Sequence, residues 1–246
     1  IGVGGGGGNA VNHMYHQGIG GVSFVLCNTD AQALRNSPVP VKVQLGAKGE
    51  GAGNIPEVAK KLAEESAAEV EALFDDNTRM AFITAGMGGG TGTGAAPVVA
   101  RIAKEKGVLT VGIVTIPFLF EGEPKILQAF AGVEEMRKHV DALLVINNER
   151  LCKIYPDLSW TTAFAKADDS LSNAARSIAE LVSKDGKINL DFADVRTTLK
   201  DGGAAVISTG SGEGEHRMSR AIQNALTSPL LKESDIYGAE RVLFNL

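Results

Sequence analysis

The sequence predicts an α/β protein with a Rossmann-like parallel sheet, helices on both faces and one long central helix. Short β-rich apolar runs alternate along the chain with segments of helical spacing, which is typical of a parallel sheet with crossover helices. Two glycine-rich stretches follow predicted strands, where the loops of such sheets bind ligands. With 44% hydrophobic and 22% charged residues, the composition is that of a globular protein, not of a disordered or coiled-coil one.

The elements follow from local patterns. Strands are predicted at residues 1–3, 22–27, 80–85, 109–115 and 142–146, which are apolar and rich in β-formers. Helices are predicted at residues 55–74, 95–106, 126–138 and 161–184, with Gly186 ending the last. In the first of these helices, Val58, Leu62 and Val70 share one face. The last, at residues 161–184, is the long central helix.

Charge and cysteine content exclude several classes of protein. The net charge of −5 makes a basic nucleic-acid-binding face improbable, so no nucleic-acid partner is expected. Only two cysteines occur, Cys27 and Cys152, so a disulfide scaffold is excluded and a reducing cytosol is the expected compartment. The apolar run at 108–120 is too short for a membrane span and is broken by Gly112 and Pro117, so no membrane insertion is expected.

Both ends of the sequence read as strands that lack a neighbour. Ile1-Gly2-Val3 resembles the end of a buried strand, and residues 241–246 resemble a strand with nothing after it. Buried strands need neighbours on both sides. We therefore expect the chain to be a fragment of a longer protein, with a short edge strand at each end as the alternative.

The first glycine-rich stretch, residues 2–9, follows a strand and precedes a helix. Glycine lets the backbone approach a phosphate, and a helix N-terminus offers free N–H groups to it. Gly2, Gly4 and Gly7 also satisfy the dinucleotide fingerprint, with Asp30 near the position of a ribose-binding acid. A nicotinamide oxidoreductase is therefore a genuine alternative, and this stretch alone does not choose between a mononucleotide and a dinucleotide.

The second glycine-rich stretch, residues 86–97, again joins a strand to a helix and adds the hydroxyls of Thr91 and Thr93. Two such turns in one sheet can hold one polyphosphate from two sides, whereas a dinucleotide enzyme needs only one. The P-loop pattern Gly-x-x-x-x-Gly-Lys-Ser/Thr is absent from the sequence. The two turns together favour a mononucleotide polyphosphate.

The segment Gly-Gly-Gly-Thr-Gly-Thr-Gly at 88–94 resembles the signature of the tubulin/FtsZ superfamily. Over essentially its whole length the chain is similar to the FtsZ family of bacterial cell-division GTPases; the matching stretches are residues 28–34, 51–53, 56–57, 117–122, 148, 164, 168 and 189–196. The resemblance implies a GTP-binding domain at 1–160, a central helix at 161–186, a catalytic loop and following segment at 187–203, and the start of a second α+β domain at 204–246.

The resemblance also implies roles for individual residues. The nucleotide-binding residues would be Gly5, Gly6, Gly7, Gly8, Asn9, Asn28, Gly53, Gly88, Gly89, Gly90, Thr91, Gly92, Thr93, Glu121, Lys125, Asn148, Phe164 and Asp168. Within this set Glu121 would contact the ribose and Phe164 would pack on guanine, while Asn148 and Asp168 read its edge. A carboxylate can accept from both N1–H and the 2-amino group of guanine, whereas adenine offers no such pair of donors.

The chain departs from the family pattern at two places. Asn54-Ile55-Pro56 stands where the family usually has Ala-Asn-Pro, so the contacts of that loop to the γ-phosphate are uncertain. Lys125 stands where arginine is frequent, which replaces a bidentate fork by a point charge.

Catalysis is predicted for Asn189, Asp191 and Asp194, whose polar groups can orient a water or a cation. Sixteen helical steps from Asp168 to Lys184 span about 24 Å, so this cluster is not expected to reach its own nucleotide. Another subunit would supply it, and such a head-to-tail contact builds an open filament. A polar loop that caps the long central helix and binds nothing is the alternative interpretation of the cluster.

The predicted function is that of a cytoplasmic, filament-forming GTPase located at the division site, with Mg²⁺ on the phosphates of GTP or GDP. Cell-division partners would bind a C-terminal tail that this sequence does not include. A nicotinamide oxidoreductase and a nucleotide-binding scaffold without hydrolysis are the alternatives from other functional classes.

Overall fold

The computed structural model describes residues 1–155, 157, 159–183, 191–227 and 238–243. Seven strands form one sheet in the order β3-β2-β1-β4-β5-β6-β7, and every neighbouring pair is parallel. The strands are β1 (Gly2–Val3), β2 (Val25–Asn28), β3 (Val41–Gln44), β4 (Met80–Gly86), β5 (Leu109–Ile116), β6 (Ala142–Asn147) and β7 (Gly203–Ala205). The predicted Rossmann-like α/β class is confirmed.

Helices connect the strands and cover both faces of the sheet. They are α1 (Gly4–His16), α2 (Ala31–Arg35), α3 (Pro56–Glu65), α4 (Ala67–Glu71), α5 (Gly90–Glu105), α6 (Glu123–Arg137), α7 (Glu149–Ile154), α8 (Trp160–Ser183), α9 (Phe192–Leu199) and α10 (Arg217–Leu226), with a 3-10 turn at Leu119–Glu121. None of the helices in the described ranges is long and apolar enough to cross a bilayer.

The central strand β5 shows how the two layers of the core are built. All eight of its residues are buried, as expected for a parallel strand covered on both faces. Val111 and Ile113 pack in the cluster that contains α1 and α8, whereas Val114 and Ile116 pack in the cluster that contains α3, α5 and α6. The alternation along the strand therefore fills both layers.

Several predicted boundaries differ from the structure. The helix predicted at 55–74 is two helices, α3 and α4, because the chain bends at Ser66, whose hydroxyl accepts the N–H of Gly46 at 2.8 Å. Helices α1 and α5 begin inside the glycine stretches rather than after them. The long helix α8 begins one residue before its predicted start, while Gly186, its predicted stop, lies outside the described residues.

The C-terminal region also differs from the prediction. Residues 241–243 form no strand, so the predicted terminal strand is wrong over these residues, and 244–246 lie outside the described part. Arg241 instead donates to the carbonyls of Thr197 and Lys200, both at 2.9 Å, at the end of α9. Strand β7 pairs with β6 at the sheet edge, in register Ala142↔Gly203. The predicted domain boundaries stay a prediction.

Candidate functional site

The two glycine-rich turns lie side by side at the carboxyl edge of the sheet. Strands β1 and β4 are neighbours, with Val3 paired to Ala85, so the turns that follow them meet. A Cβ on Gly4 would lie 2.8 Å from the backbone nitrogen of Gly92. The N-termini of α1 and α5 therefore point their free N–H groups toward one place, which suits an anion.

The glycines of these turns divide into two groups. A Cβ on Gly7 or Gly92 would overlap the carbonyl oxygen of Thr84 or Gly86, so these glycines allow helix and strand to touch. At Gly5 and Gly8 a Cβ would meet nothing within 4 Å. The backbone at Gly5 and Gly8 is therefore open to a ligand.

A cleft opens beside the first turn, between α1 and the end of β2. It is lined by Gly4, Gly5, Gly8, Asn9, Asn12, Leu26, Cys27, Asn28, Ala33 and Leu34. Four of the predicted nucleotide-binding residues meet there, namely Gly5, Gly8, Asn9 and Asn28. Asn28 is 7% exposed, and its side-chain oxygen accepts the N–H of Asp30 at 3.2 Å.

Hydroxyl groups hold the second turn in place. The hydroxyls of Thr29 and Thr91 form a hydrogen bond at 2.7 Å, which ties the loop after β2 to the start of α5. The hydroxyl of Thr93 accepts the N–H of Gly88 at 2.9 Å. Thr29 is 1% exposed and was not predicted as a site residue, although it lies in the family-like stretch 28–34.

The outer part of the second turn is held from α6. The amide of Gln128 donates to the carbonyls of Gly88 and Gly89 at 3.0 and 3.1 Å. Gly88 has φ +102°, which favours glycine at this position. Both carbonyls are thus turned toward the protein, so the N–H groups of the turn remain the groups available to an anion.

Asp30, which the nicotinamide alternative requires, has another role. Its carboxylate accepts the N–H groups of Gln32 and Ala33 at 2.8 and 3.2 Å, capping α2. Both N–H groups donate to Oδ1, so this cap gives Asp30 a structural role that requires no ribose. This geometry weighs against the dinucleotide interpretation.

An aromatic cluster borders the site. Phe118 and Phe120 stack with ring centroids 4.8 Å apart, and Phe164 meets Phe118 edge-on at 5.3 Å. Phe118 is fully buried, while Phe164 on α8 is 43% exposed. The half-exposed ring of Phe164 therefore offers a face on which a planar base can stack.

Asp168 lies one helical turn from Phe164 on the same helix. Burial raises the pKa of the Asp168 carboxyl to about 6, an effect that nearby His13 opposes and Asp169 reinforces. Asp169 itself pairs with His13 of α1 at 2.9 Å, which joins α8 to the helix of the first glycine turn. Asp168 is thus a partly desolvated carboxylate beside an aromatic face.

Asn148 follows β6 and is 5% exposed, yet its side-chain oxygen has no hydrogen-bond partner. A buried polar atom without a partner is costly unless a ligand supplies one. The unpaired oxygen of Asn148 therefore fits a nucleotide base that carries donors on its edge.

Glu121 and Lys125 contact each other. One Glu121 oxygen accepts the N–H of Phe118 at 3.0 Å, and the other pairs with Lys125 at 3.4 Å. To make their predicted contacts with the nucleotide, Glu121 and Lys125 would have to bind the ligand in addition to this partly exposed ion pair.

The unusual loop at Gly53-Asn54-Ile55 rests against the start of α5. Gly53 and Asn54 have φ of +58° and +62°, and a Cβ on Gly90 would lie 2.8 Å from the nitrogen of Ile55. Gly90 therefore serves close packing of this loop as well as the turn itself.

The predicted catalytic residues that the structure describes lie near the amino ends of the strands, opposite the glycine turns. Phe192, between Asp191 and Asp194, packs beneath Arg79, which immediately precedes β4 at its amino end. Asp191 caps the start of α9 by accepting the N–H of Ala193 at 3.3 Å. Asn189 lies outside the described residues. The structure therefore separates the two predicted groups of residues rather than joining them.

No group of three or more His, Cys, Asp or Glu side chains that could hold a metal occurs in the described part of the chain. Any Mg²⁺ at this site would depend mainly on phosphate oxygens and water, which is common for this ion.

Comparison with known families agrees with this geometry. The family described as "Tubulin/FtsZ family, GTPase domain" matches residues 1–156, and "FtsZ family, C-terminal domain" matches residues 203–246. Both descriptions name the family that the second glycine turn suggested.

Individual relatives are similar over the whole chain. The cell division protein FtsZ of Porphyromonas gingivalis is 66% identical across 100% of this chain, and that of Bartonella bacilliformis is 51% identical across 100%. This chain covers 55% and 42% of those two proteins, so it spans about half their length.

Solved structures show the same fold. An FtsZ dimer of M. jannaschii, described as empty, superposes with a TM-score of 0.88 at 45% identity, covering 94% of this chain and 68% of the other. CetZ2 from Haloferax volcanii, solved as a GTPγS-bound protofilament, has a TM-score of 0.78 at 24% identity, covering 92% and 72%. The second likeness concerns the fold alone.

Proposed function

Because this chain belongs to the Tubulin/FtsZ family, we propose that it binds a guanine nucleotide at the carboxyl edge of its sheet and hydrolyses GTP within head-to-tail filaments. The observation that carries the proposal is the separation of the two predicted groups. The glycine turns after Val3 and Gly86 lie at the carboxyl ends of the strands, whereas Asp191 and Asp194 lie near Arg79, at the amino end of β4.

The phosphates would lie on the open backbone of Gly5 and Gly8 and on the N–H groups at the start of α5. Glycine at these positions admits the phosphate oxygens closely, and two helix N-termini favour their negative charge. Thr91, held by Thr29, would add a hydroxyl to this cradle. Mg²⁺ on the phosphates would supply charge neutralisation.

Guanine would stack on the exposed face of Phe164 and be read by Asp168 and Asn148. Ionised Asp168 can accept from N1–H and the 2-amino group, which adenine cannot satisfy. The unpaired oxygen of Asn148 offers a further acceptor. Two acceptors with no matching pair of donors on adenine support a preference for guanine over adenine.

Hydrolysis would require two subunits. Helix α8 has 24 residues, about 36 Å, and runs from the side of Asp168 toward the edge that carries α9. Asp191 and Asp194 of one subunit would orient the attacking water at the γ-phosphate of the next, with Asn189 as a further candidate. A heterologous contact of this kind extends into an open filament.

The cellular role proposed for the whole protein is that of FtsZ relatives, namely bacterial cell division from the cytoplasm at the division site. Among the proposed interactions, the geometry gives a physical reason for self-association. Contacts with other division proteins would involve parts of the protein beyond this chain.

The experiment that tests this proposal is a GTPase assay of the full-length protein across a range of concentrations. If the active site forms between subunits, specific activity rises with concentration and then reaches a plateau. Asp194→Ala should bind GTP with unchanged affinity and hydrolyse it poorly. Activity that is constant down to dilute monomer would contradict the proposal.

Two alternatives are separated by simple measurements. A nicotinamide oxidoreductase would retain NAD rather than GDP on purification. A scaffold without hydrolysis would bind GTP and release no phosphate at any protein concentration.

A further inference from the structure

Arg79 and Phe192 form a contact that the proposed mechanism has not used. The guanidinium carbon of Arg79 lies 3.9 Å from the centre of the Phe192 ring. The backbone of Arg79 is fixed in the sheet, because its carbonyl accepts the N–H of Leu109 at 3.1 Å. Phe192 is the first residue of α9 and is 8% exposed. A cation anchored in the sheet therefore covers the ring that begins α9.

The contact has the geometry of a cation–π pair, which is attractive by electrostatics and strengthens where water is excluded. A planar guanidinium also stacks on an aromatic face, which an ammonium group cannot do. Within the described ranges, no carboxylate forms an ion pair with Arg79, so the ring is the partner that its side chain contacts there. This contact fixes the plane of the Phe192 ring.

The position of the Phe192 ring affects the direction in which the carboxylates of Asp191 and Asp194 point. Asp191 precedes it and caps the helix, and Asp194 lies two residues beyond it, with both carboxylates exposed. Phe192 and the fully buried Val195 are the two buried residues of α9. Because Val195 and Arg241 hold the rest of α9, a shift of the ring moves its first turn, where both carboxylates lie.

We propose that Arg79 is a positioning residue for trans hydrolysis: by holding the ring of Phe192, it orients Asp191 and Asp194 toward the nucleotide of the neighbouring subunit. The inference rests on the proposed function. Arg79 does not touch its own subunit's nucleotide, because it lies at the amino end of β4 and the glycine turn lies at the other end. Its effect belongs to the subunit that supplies the carboxylates.

This asymmetry defines the experiment, which uses mixtures of full-length subunits. One subunit carries Gly5→Asp, which blocks its phosphate site but leaves its carboxylates. The other carries Asp194→Ala, which leaves its pocket but disables its carboxylates. One type of junction in the mixed filament then pairs an intact pocket with intact carboxylates, and this junction restores activity.

Arg79→Ala is then added to one subunit at a time, and GTPase activity is expressed per pelleted subunit. On the Gly5→Asp subunit it should lower the restored kcat about threefold to tenfold with KM unchanged, because small misplacements of catalytic groups are costly. On the Asp194→Ala subunit it should change nothing. Arg101→Ala, which breaks an exposed pair with Glu105 on α5, is the matched control on both sides.

A second comparison tests the ring itself. Phe192→Leu on the Gly5→Asp subunit should lower kcat similarly, and in that background Arg79→Ala should have no further effect, since the two residues act through one contact. Arg79→Lys should retain part of the activity, because it keeps a cation but loses the planar stack.

The outcomes are distinguishable. An equal loss in both arms, no loss in either, or a further loss in the Phe192→Leu background would each overturn the role of Arg79 while trans hydrolysis stands. If the Gly5→Asp and Asp194→Ala mixture restores no activity, the proposed function fails, and the inference fails with it.

Discussion

The hydroxyls of Thr29 and Thr91 lie 2.7 Å apart, and this hydrogen bond joins the loop after β2 to the second glycine turn. Thr29 lies in the loop beside the cleft of α1, and Thr91 lies at the start of α5. The bond restricts the Thr91 side chain to one rotamer. It therefore helps to preorganise the start of α5, where the phosphates are proposed to bind.

Thr29→Val should weaken GDP binding about threefold to tenfold, because it removes one buried hydrogen bond while keeping the side-chain shape. Titration calorimetry measures the affinity. Thr78→Val is the control, since its hydroxyl also makes a hydrogen bond, to Asp75 at 2.7 Å, but in an exposed turn away from the site. Equal affinity of wild type and Thr29→Val would contradict the role of Thr29.

Gly5→Asp should abolish GDP binding without unfolding the sheet. The new side chain enters open space, and an acid in the first turn of α1 suits the helix dipole while repelling phosphate. This variant is a cleaner test than bulk at Gly92, where a Cβ would overlap the carbonyl of Gly86. Gly20→Asp, also directed into open space, is the matched control and should bind normally.

Guanine affinity should depend on pH through Asp168. With its pKa raised to about 6, the carboxylate loses its charge and one acceptor as pH falls below 6, so GDP affinity should fall there and stay constant above 7. Asp168→Asn should remove this dependence. A wild-type affinity that stays flat from pH 5 to about 7.5 would reject Asp168 as the guanine-reading group.

The same shift predicts an effect on stability without nucleotide. A carboxyl whose pKa rises on folding from 3.8 to about 6 favours the folded state at low pH, and this contribution is lost as pH rises through 6. Asp168→Asn should therefore be more stable than wild type at neutral pH and equal to it near pH 4. Thermal unfolding at the two pH values checks this sign.

Asn148→Leu should leave the unliganded melting temperature unchanged or higher, because it removes a buried acceptor that has no partner. The rise in Tm on adding GDP should shrink, since the base loses a contact. Asn147→Leu should do the opposite: the Asn147 side chain accepts the N–H of Glu149 at 3.0 Å, so stability falls while the GDP-induced rise remains. Differential scanning fluorimetry measures both quantities.

Local patterns in the sequence predicted the central strands, the long helix and the positions of both glycine turns, because each of these depends on residues close in the chain. The break at Ser66 was not predictable in this way, since it depends on the N–H of Gly46 from another loop. Residues 241–243 were wrongly predicted to be part of a strand, because a β-rich run contains no information about whether a neighbouring strand accepts it.

The candidate site likewise combines features that local sequence predicts with features that depend on distant residues. The glycine stretches predicted a phosphate-binding region, but only the fold separates Gly5 and Gly8, which face open space, from Gly7 and Gly92, which allow close packing. Thr29 was missed because its partner lies far away in the sequence. The contact between Arg79 and Phe192 was missed for the same reason.

The pairing of β1 with β4 has a consequence for synthesis on the ribosome. The proposed phosphate site combines the open backbone of Gly5 in the first turn with the N–H groups at the start of α5 in the second. Because β1 and β4 are direct neighbours in the sheet, the two turns meet only when β4 docks beside β1. A nascent chain that ends before Gly92 lacks part of this proposed site, and one that ends before Asp168 lacks the carboxylate proposed to read the base. If guanine nucleotide binds as proposed, it therefore stabilises chains whose synthesis has passed Asp168 more than it stabilises shorter ones.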